Sequence, residues 1–323
     1  MCTAISYLSR SHYFGRTLDL EYHYQEAVTI TPRKFPFVFR QQKTSKEHYA
    51  IIGMATVSEN YPLYYDATNE YGLSMAGLNF PDNACYLPTK VNKNNIASFE
   101  LIPWVLTQCK TVNDTRQLLE NTNLIPLAFN ENFPVSPLHW MIADNKESIV
   151  VEPGKTGLEI YQNPVGVLTN NPPFEFQLHN LNNYLNVTAQ EGTNRFSNNV
   201  TLNAYSRGMG GIGLPGDLSS SSRFVRCVFT KLNSVEFNNK NSDLSQFFHI
   251  LNAVAQQRGC VKVNEEYEYT VYTSCCDTHR GIYYYTTYEN SQISAVNMHS
   301  VDLENDKLIT YPLLRSQNIH YIN

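Results

Sequence analysis

The first 57 residues alternate short apolar runs with turn residues, a pattern that predicts a sheet. The predicted strands, all rich in β-branched and aromatic residues, are 3–8, 13–20, 27–31, 37–39 and 49–57. Arg16 and Asp19 lie three positions apart in the second run, so an unbroken strand would point their side chains to opposite faces. If both residues serve one site, the strand must end or bulge near Thr17 and Leu18.

A hairpin and two helices are predicted next. Residues 63–80 form two apolar runs around a polar turn, which places Asn79 at the end of the second strand. Apolar residues at helical spacing predict helices over 98–108 and from about 112–120. Pro103 lacks an N–H donor, so the first helix is expected to begin close to it. The two helices are expected to cover the sheet.

More strands are predicted in the middle of the chain. The strand candidates are 138–143, 148–152, 158–161 and 165–168. Pro172 forces the residue before it into an extended conformation and stops the last strand, so Asn170 also lies at a strand end. A helix is predicted over 174–185. Residues 187–213 are polar and form a long loop, and loops of this length usually bind or assemble.

The last third of the chain is predicted to contain two helices and returning strands. The serines at 219–222 offer an N-cap for a helix with apolar residues at 224, 228, 232 and 235. Arg223 would lie in its first turn, where a cation opposes the helix dipole, so an anionic partner explains this residue better than helix stability does. A second helix is predicted from 242 or 243 through 255. The final strand candidates are 267–274, 281–288 and 293–298.

The order of these elements predicts an α+β fold in which two stacked sheets lie between layers of helices. No repeat, low-complexity tract or clear linker divides the chain. A single domain over residues 1–323 is therefore expected.

Composition and charge exclude several kinds of partner. The net charge of −5 comes with no basic cluster, so the attraction that nucleic acid or an anionic membrane requires is missing. No stretch approaches the roughly 20 apolar residues of a membrane span, and the chain does not begin with a signal-peptide pattern. A cytoplasmic protein that acts on a small molecule is expected.

Neither the cysteines nor the histidines form a disulfide or metal pattern. The seven cysteines are odd in number and lack paired spacing, so reduced thiols are expected. The nine histidines lack the close pairing with a carboxylate that a zinc helix shows, so no metal is expected. His139 lies in an apolar strand and is interpreted as a hydrogen-bonded core residue rather than a catalytic one.

The start of the chain carries the main candidate chemistry. Met1 precedes a small residue, which allows its removal, and Cys2 would then carry both a thiol and a free α-amino group on one Cα. An unperturbed α-amino group titrates at roughly pH 7.7–8.0, so it is a base next to its own nucleophile. A lone N-terminal cysteine is usually not catalytic, so this assignment depends on the rest of the chain.

Short motifs follow one another along the whole chain. They are Cys2-Thr3, Phe14-Gly15-Arg16-Thr17-Leu18-Asp19, Gly77-Leu78-Asn79-Phe80, Leu168-Thr169-Asn170-Asn171-Pro172, and Gly213-Leu214-Pro215-Gly216-Asp217 with Ser222-Arg223-Phe224. Together they resemble the choloylglycine hydrolase family, which comprises bile salt hydrolases and penicillin V acylases. The chain is also similar in length to the bile salt hydrolases of Gram-positive bacteria. The resemblance implies the four-layer αββα sandwich of the N-terminal nucleophile hydrolases.

The resemblance also implies a role for each motif residue. The implied catalytic residues are Cys2 as nucleophile, Arg16, Asp19, Asn79, Asn170 and Arg223. Asp19 can accept a hydrogen bond from the α-amino group, and the two arginines favour the thiolate over the thiol. The two asparagines can donate N–H groups to the oxyanion of a tetrahedral intermediate. Leu18, Leu20 and Asn79 are expected to contact the substrate.

The implied reaction is hydrolysis of the amide between a bile acid and glycine or taurine, with no metal or cofactor. The steroid needs an apolar cleft, for which loops at 18–24, 61–64 and 129–137 are expected to supply walls. Penicillin V acylase is the closest alternative, although in the family that activity tends to accompany tyrosine at the position of Asn79. A non-enzymatic binder of steroids or other amphiphiles, in which Cys2 is incidental, is the alternative of another class. By the same resemblance, a homotetramer in the bacterial cytoplasm is expected.

Overall fold

The computed structural model describes residues 1–235 and 240–323 of the chain. Its strands are, in chain order, β1 (Cys2–Leu8), β2 (His12–Leu20), β3 (Ala27–Thr31), β4 (Ile51–Ser58), β5 (Tyr61–Asn69), β6 (Ser74–Asn79), β7 (Asn94–Ala97), β8 (Thr122–Ile125), β9 (Leu138–Ala143), β10 (Ser148–Gly154), β11 (Gly157–Gln162), β12 (Val167–Leu168), β13 (Val261–Val263), β14 (Glu266–Asp277), β15 (Ile282–Thr287), β16 (Asn290–Asn297) and β17 (Ile309–Pro312). Its α-helices are α1 (Leu101–Leu106), α2 (Val112–Glu120), α3 (Phe174–Asn180), α4 (Ser220–Leu232) and α5 (Lys240–Asn252). Among these residues, no helix has the length and apolar character that crossing a bilayer requires.

Most strands join one of two antiparallel sheets. Sheet I has the order β12-β1-β2-β14-β15-β16, with β13 on β14, and sheet II has the order β11-β10-β9-β6-β5-β4-β3-β17. In sheet I, β2 from the start of the chain pairs with β14 from its last quarter. Residues that are far apart in sequence therefore meet at the centre of this sheet.

Two hydrophobic cores hold the layers together. The first joins the facing sides of the sheets and includes Phe224 of α4 and Phe247 of α5. The second packs the other side of sheet II, including Trp140, against Leu101 of α1 and Val112 of α2. Over the described part of the chain the layers follow the order α4 and α5, sheet I, sheet II, α1 and α2. This order confirms the predicted αββα sandwich.

Helix α4 begins where the sequence predicts. The hydroxyl of Ser219, the N-cap, accepts a hydrogen bond from the Ser222 N–H, and Phe224 and Val228 are buried on the inner face. The helix ends at Leu232, so Val235 lies beyond it and is exposed. The predicted cap and stripe therefore place Arg223 in the first turn.

Some elements differ from the predicted ones. Residues 37–39 form no strand, because Phe37 makes only an isolated bridge to Ser45; its ring packs edge-to-face with Phe35 and stacks on Phe39. The phenylalanines at every second position there pack against one another and do not indicate a paired strand. The sequence pattern also fails to predict the parallel pair of β7 and β8, because each strand opens with two polar residues.

Candidate active site

Cys2 is the first residue of β1 and is almost fully buried, with 3% of its surface exposed. It pairs with Leu18 of β2, and its carbonyl accepts a hydrogen bond from Arg223 Nη1 at 2.7 Å. Its backbone N–H donates to Asn170 Oδ1 at 2.7 Å. Groups from β1, β2, α4 and the segment after β12 thus meet at the start of the chain.

Met1 is joined to Cys2 in this structure, so the Cys2 nitrogen is a peptide nitrogen. The Met1 ammonium donates to the Asp19 carbonyl at 2.6 Å and pairs with Glu268 Oε2 at 2.7 Å. The Met1 carbonyl accepts from the Asp19 N–H at 2.9 Å. Removal of Met1 would create a free amine at the nitrogen that now donates to Asn170.

Asp19 places a buried carboxylate next to Arg223, the residue that binds the Cys2 carbonyl. Its Oδ1 accepts a hydrogen bond from the Thr270 hydroxyl at 2.7 Å, and its Oδ2 accepts one from the Thr17 hydroxyl at 3.1 Å. Arg223 Nη1 lies 3.9 Å from Oδ2. Two hydroxyls and a guanidinium therefore stabilise the negative charge of Asp19 away from water.

The bulge near Asp19 lies in β14, the strand that pairs with β2, and not in β2 itself. β2 continues through Leu20 without a break, whereas β14 shifts register between Thr270 and Tyr272. The end or bulge near Thr17 and Leu18 that was expected if Arg16 and Asp19 serve one site is therefore not found in β2. Arg16 and Asp19 instead point to opposite faces of β2, and Arg16 contacts sheet II while Asp19 lies near α4.

Arg16 is buried between the two sheets. Its Nη1 donates to the carbonyl of Gly77 and, at 3.1 Å, to that of Tyr65, while its Nη2 has no hydrogen-bond partner among the described residues. Burial opposes its charge, but the negative groups around it, of which Cys2 acts most strongly, raise the pKa of Arg16 above its ordinary value. Arg16 therefore supplies a permanent positive charge close to Cys2.

Asp66 of β5 is a counter-charge for Arg16. Its carboxylate accepts hydrogen bonds from the hydroxyls of Tyr272 at 2.8 Å, Ser274 at 3.1 Å and Tyr283 at 2.6 Å. Burial raises the pKa of Asp66, and the nearby Arg16 offsets part of that rise. Asp66 lies in none of the motifs that indicate the site, although a carboxylate inside an apolar strand is a signal of a buried charge pair.

Arg223 connects helix α4 to the rest of the site and is fully buried. Besides its bond to the Cys2 carbonyl, it donates from Nη1 to Thr3 Oγ1 at 2.7 Å and from Nη2 to Asn170 Oδ1 at 2.8 Å. The anionic partner that the sequence predicts for it is Asp19. One guanidinium thus binds groups from β1, β2 and the segment after β12.

Asn79 and Asn170 lie side by side at strand ends, as the sequence predicts. Asn170 Nδ2 donates to the Asn79 carbonyl at 2.7 Å, and the Asn170 N–H donates to Ser220 Oγ at 2.8 Å. Asn79 is exposed, and none of the described residues hydrogen-bonds to its side-chain amide. The amide of Asn79 is therefore available to donate to a bound molecule.

Glu268, Thr270 and Thr17 border the site but were not predicted from the sequence. Glu268 and Thr270 lie two positions apart in β14, so their side chains share the face of sheet I that holds Asp19. Polar residues that alternate with tyrosines in this strand are the available signal. Nothing local indicates the partner of Thr270, which lies 251 positions earlier in the chain.

An apolar cavity of about 210 Å³ lies next to Gly77 and Tyr65, the residues whose carbonyls bind Arg16. Its apolar and aromatic walls are Tyr24, Leu63, Tyr64, Phe99, Phe129, Phe133, Pro134 and Leu138. The loops at 18–24, 61–64 and 129–137, which were predicted to supply walls, all contribute to this lining. Leu18 belongs to the main core and Leu20 packs against it, so the substrate contacts expected of Leu18, Leu20 and Asn79 stay predictions.

The arrangement suits nucleophilic acyl transfer. It combines a cysteine sulfur, an amine that Met1 removal would free, a buried carboxylate at Asp19, two buried arginines and amide donors. In residues 1–235 and 240–323, no three His, Cys, Asp or Glu side chains are grouped to hold a metal ion.

The chain matches a known family and known proteins along its length. A family model described as linear amide C–N hydrolases, choloylglycine hydrolase family, matches residues 2–311. The chain is 53% identical to the bile salt hydrolase/transferase of Lactiplantibacillus plantarum, over 100% of both chains. It is 38% identical to the bile salt hydrolase/transferase of Clostridium perfringens, again over 100% of both chains.

Solved structures agree with these matches. A cysteine-to-alanine mutant of the conjugated bile acid hydrolase from Clostridium perfringens has a TM-score of 0.92 and 36% identity, with 100% of both chains covered. The penicillin V acylase from Agrobacterium tumefaciens has a TM-score of 0.76 and 18% identity, over 96% of this chain and 90% of that chain. The second match is evidence of a shared fold alone.

Proposed function

The chain belongs to the choloylglycine hydrolase family of linear amide C–N hydrolases, and we propose that it hydrolyses the amide bond of bile salts conjugated to glycine or taurine. The observation that carries the proposal is full-length identity of 53% to a protein named bile salt hydrolase/transferase. A buried cysteine at position 2, with Asp19 and two arginines around it, supports the proposal on chemical grounds.

The reaction starts from the chain without Met1. The Cys2 sulfur attacks the amide carbonyl, and the α-amino group of Cys2 takes the thiol proton. The same amine passes that proton to the nitrogen of the departing glycine or taurine, so the C–N bond breaks and a thioester remains on Cys2. Water then attacks the thioester and gives one proton to the amine. Collapse of that intermediate releases the bile acid and restores the thiol.

The neighbouring side chains stabilise charge at each stage. Asp19 orients the amine, and Arg16 and Arg223 stabilise the thiolate. Asn79 and Asn170 donate N–H groups to the oxyanion of the tetrahedral intermediate. The loss of one such donor in other enzymes typically costs about 10²–10³ in rate.

The apolar cavity beside Tyr65 and Gly77 is the proposed site for the steroid. Its aromatic walls, including Phe129 and Phe133, can bury the rings, and this orientation directs the amide of the side chain toward Cys2. Burial of apolar surface contributes roughly 25 cal/mol per Å², so the rings are expected to contribute binding energy in proportion to the area that they bury there.

A second activity follows from the same thioester. The names of two relatives include a transferase activity as well as hydrolysis. An amine that replaces water at the second step would form a new amide and regenerate the Cys2 thiol in the same way. Mass spectrometry of the products from a bile salt mixed with a free amine tests this activity.

Steady-state kinetics test the main proposal against its alternatives. We expect kcat/KM to be larger for glycine- and taurine-conjugated bile salts than for penicillin V, and the opposite order would assign the chain to the acylases.

We also expect Cys2→Ala to abolish turnover while ligand binding remains. A chain that binds bile salts without turning them over, with or without Cys2, would be a binding protein instead.

Three further parts of the proposal rest on the family resemblance. We propose that residues 1–235 and 240–323, together with the segment between them, form one catalytic domain, that the protein is a homotetramer, and that it acts in the bacterial cytoplasm. Light scattering during size-exclusion chromatography measures the mass of the assembly. Cell fractionation tests the location.

A further inference from the structure

His139 and Glu152 form a buried polar pair in sheet II that the proposed chemistry does not use. The two side chains are 0% and 4% exposed, and His139 Nδ1 lies 3.0 Å from Glu152 Oε1. His139 lies on β9 and Glu152 on the adjacent β10, so His139 is a hydrogen-bonded core residue, as its sequence context predicts. Burial of two ionisable groups costs free energy, so packing alone does not account for the pair.

The pair contacts the backbone next to both asparagines of the site. His139 Nε2 donates to the Thr169 carbonyl at 2.8 Å, and Thr169 directly precedes Asn170. The His139 ring also stacks on Phe80, which directly follows Asn79, with ring centroids 4.2 Å apart and an angle of 5° between the planes. One imidazole thus lies against both strand ends that carry the proposed oxyanion donors.

Glu152 fixes the orientation of this imidazole. Its Oε1 also accepts a hydrogen bond at 3.1 Å from the N–H of Phe174, the first residue of α3. Because the Thr169 carbonyl can only accept, Nε2 must carry a proton, and the hydrogen bond between Nδ1 and Oε1 requires a second proton. Nε2 is therefore the donor to Thr169, and the contact between Nδ1 and Glu152 holds the opposite side of the ring.

We propose that His139 and Glu152 are positioning residues, which hold Asn79 and Asn170 in the geometry that oxyanion binding needs. The inference rests on the proposed function. The bond to Thr169 fixes the peptide that enters Asn170, and the stacked ring of Phe80 fixes the peptide that leaves Asn79. A displacement of about 1 Å can cost about 10²-fold in rate, so the pair affects turnover without contacting substrate.

Two substitutions separate the two hydrogen bonds of His139. In His139→Gln the amide nitrogen can replace Nε2 and keep the bond to Thr169, whereas in His139→Asn it can replace Nδ1 and keep the bond to Glu152. For a glycine-conjugated bile salt we expect kcat to fall about 10- to 100-fold in His139→Asn and by less in His139→Gln. We expect KM to change by less than about twofold in both, because the steroid pocket is intact.

Further readouts distinguish positioning from loss of stability. Alkylation of Cys2 by iodoacetamide needs no oxyanion donor, so its rate is expected to fall by a smaller factor than kcat. In an Asn170→Ala background, His139→Asn is expected to lower kcat by a smaller factor than in the wild-type background, because the part of its effect that passes through Asn170 is already lost. In Glu152→Gln one side-chain atom cannot both donate to His139 Nδ1 and accept from the Phe174 N–H, so one of these two hydrogen bonds is lost. This variant is expected to lower kcat in the same direction, which keeps the test decisive if His139→Asn does not fold.

His12→Gln is the matched control. His12 is also buried and has both ring nitrogens hydrogen-bonded, to Ser6 Oγ at 2.8 Å and Thr278 Oγ1 at 3.0 Å. It lies six residues along β2 from Leu18, the partner of Cys2, and therefore about 20 Å away. Near pH 7.5 this variant is expected to lose stability but keep its kcat.

Folded His139→Asn and Glu152→Gln proteins with wild-type kcat would overturn the inference. A fall in kcat matched by an equal fall in the alkylation rate would also overturn it, because the pair would then act on Cys2 rather than on the asparagines. An absence of turnover by the wild-type protein in the same assay would instead contradict the proposed function.

Discussion

The cysteines of this chain differ in their surroundings, and those surroundings decide which thiol can react. Burial raises the pKa of Cys109 to about 11 and the pKa of Cys227 and Cys276 to about 12. Burial also raises the pKa of Cys275 well above its ordinary value. These four thiols stay protonated near neutral pH, whereas Cys2 has two buried arginines close to it. The thiolate is the nucleophile, so among the five buried cysteines reactivity is expected at Cys2.

Mild oxidation is expected to abolish activity through Cys2. Peroxide converts a thiolate to sulfenic acid, which a reductant reverses, and then to sulfinic acid, which it does not. After brief exposure we therefore expect dithiothreitol to restore kcat, and after long exposure we expect the loss to persist. Mass spectrometry of the N-terminal peptide measures the oxidation state. Undiminished activity in protein whose Cys2 is fully oxidised would remove the thiol from the mechanism.

The pH dependence of stability has an expected contribution from His12. Burial lowers the pKa of His12 from 6.5 to about 4, an effect that Asp144 and Asp277 partly oppose and Lys231 reinforces. Between about pH 6.5 and 4, His12 therefore binds a proton in the unfolded chain but not in the folded chain. The free energy of unfolding falls as the pH decreases through this range. The difference corresponds to about 3 kcal/mol. Urea unfolding at several pH values should show a shallower decline in His12→Gln, and an identical decline would contradict this origin.

At the scale of single elements, local signals predict helix α4 but not the bulge beside Asp19. The serine cap and apolar stripe define the start of α4, and the unfavourable position of Arg223 in the helix dipole indicates an anionic partner. The bulge lies in β14, opposite the strand that carries Asp19. Strand partners are set by tertiary packing, so no pattern within β2 could predict where the irregularity occurs.

Arg223→Lys is expected to lower both stability and turnover. A lysine ammonium cannot bond simultaneously to the Cys2 carbonyl, the Thr3 hydroxyl and Asn170 in the geometry of the guanidinium. We expect the free energy of unfolding to fall by on the order of 3 kcal/mol, and kcat to fall as well. Arg226→Lys is the control on the same helix, because Arg226 bonds to the carbonyls of Ala253 and Pro215 away from the site. Wild-type stability and kcat in Arg223→Lys would contradict the role assigned to it.

At the scale of the whole molecule, the order of elements predicts the layers but not the contacts between distant parts. The alternation of strand-rich and helix-rich regions is sufficient for a sandwich of sheets between helices. It does not indicate that Glu268 binds the Met1 ammonium or that Thr270 holds Asp19, because both contacts depend on the pairing of β2 with β14. The family resemblance assigns the motif residues to one site. Glu268 and Thr270 belong to none of these motifs, so the resemblance does not predict their contacts.

The central claim is that the α-amino group of Cys2 is the base of the reaction. A chain with an extension before Cys2 that cannot be removed tests this claim most directly, because the nitrogen then stays in a peptide bond and cannot accept a proton. The structure with Met1 attached accommodates such a peptide, with its ammonium on Asp19 and Glu268. We expect the extended protein to fold and to lose more than the roughly 10²–10⁴-fold ascribed to a general base alone. Full activity in an extended protein whose mass has been verified would contradict the claim.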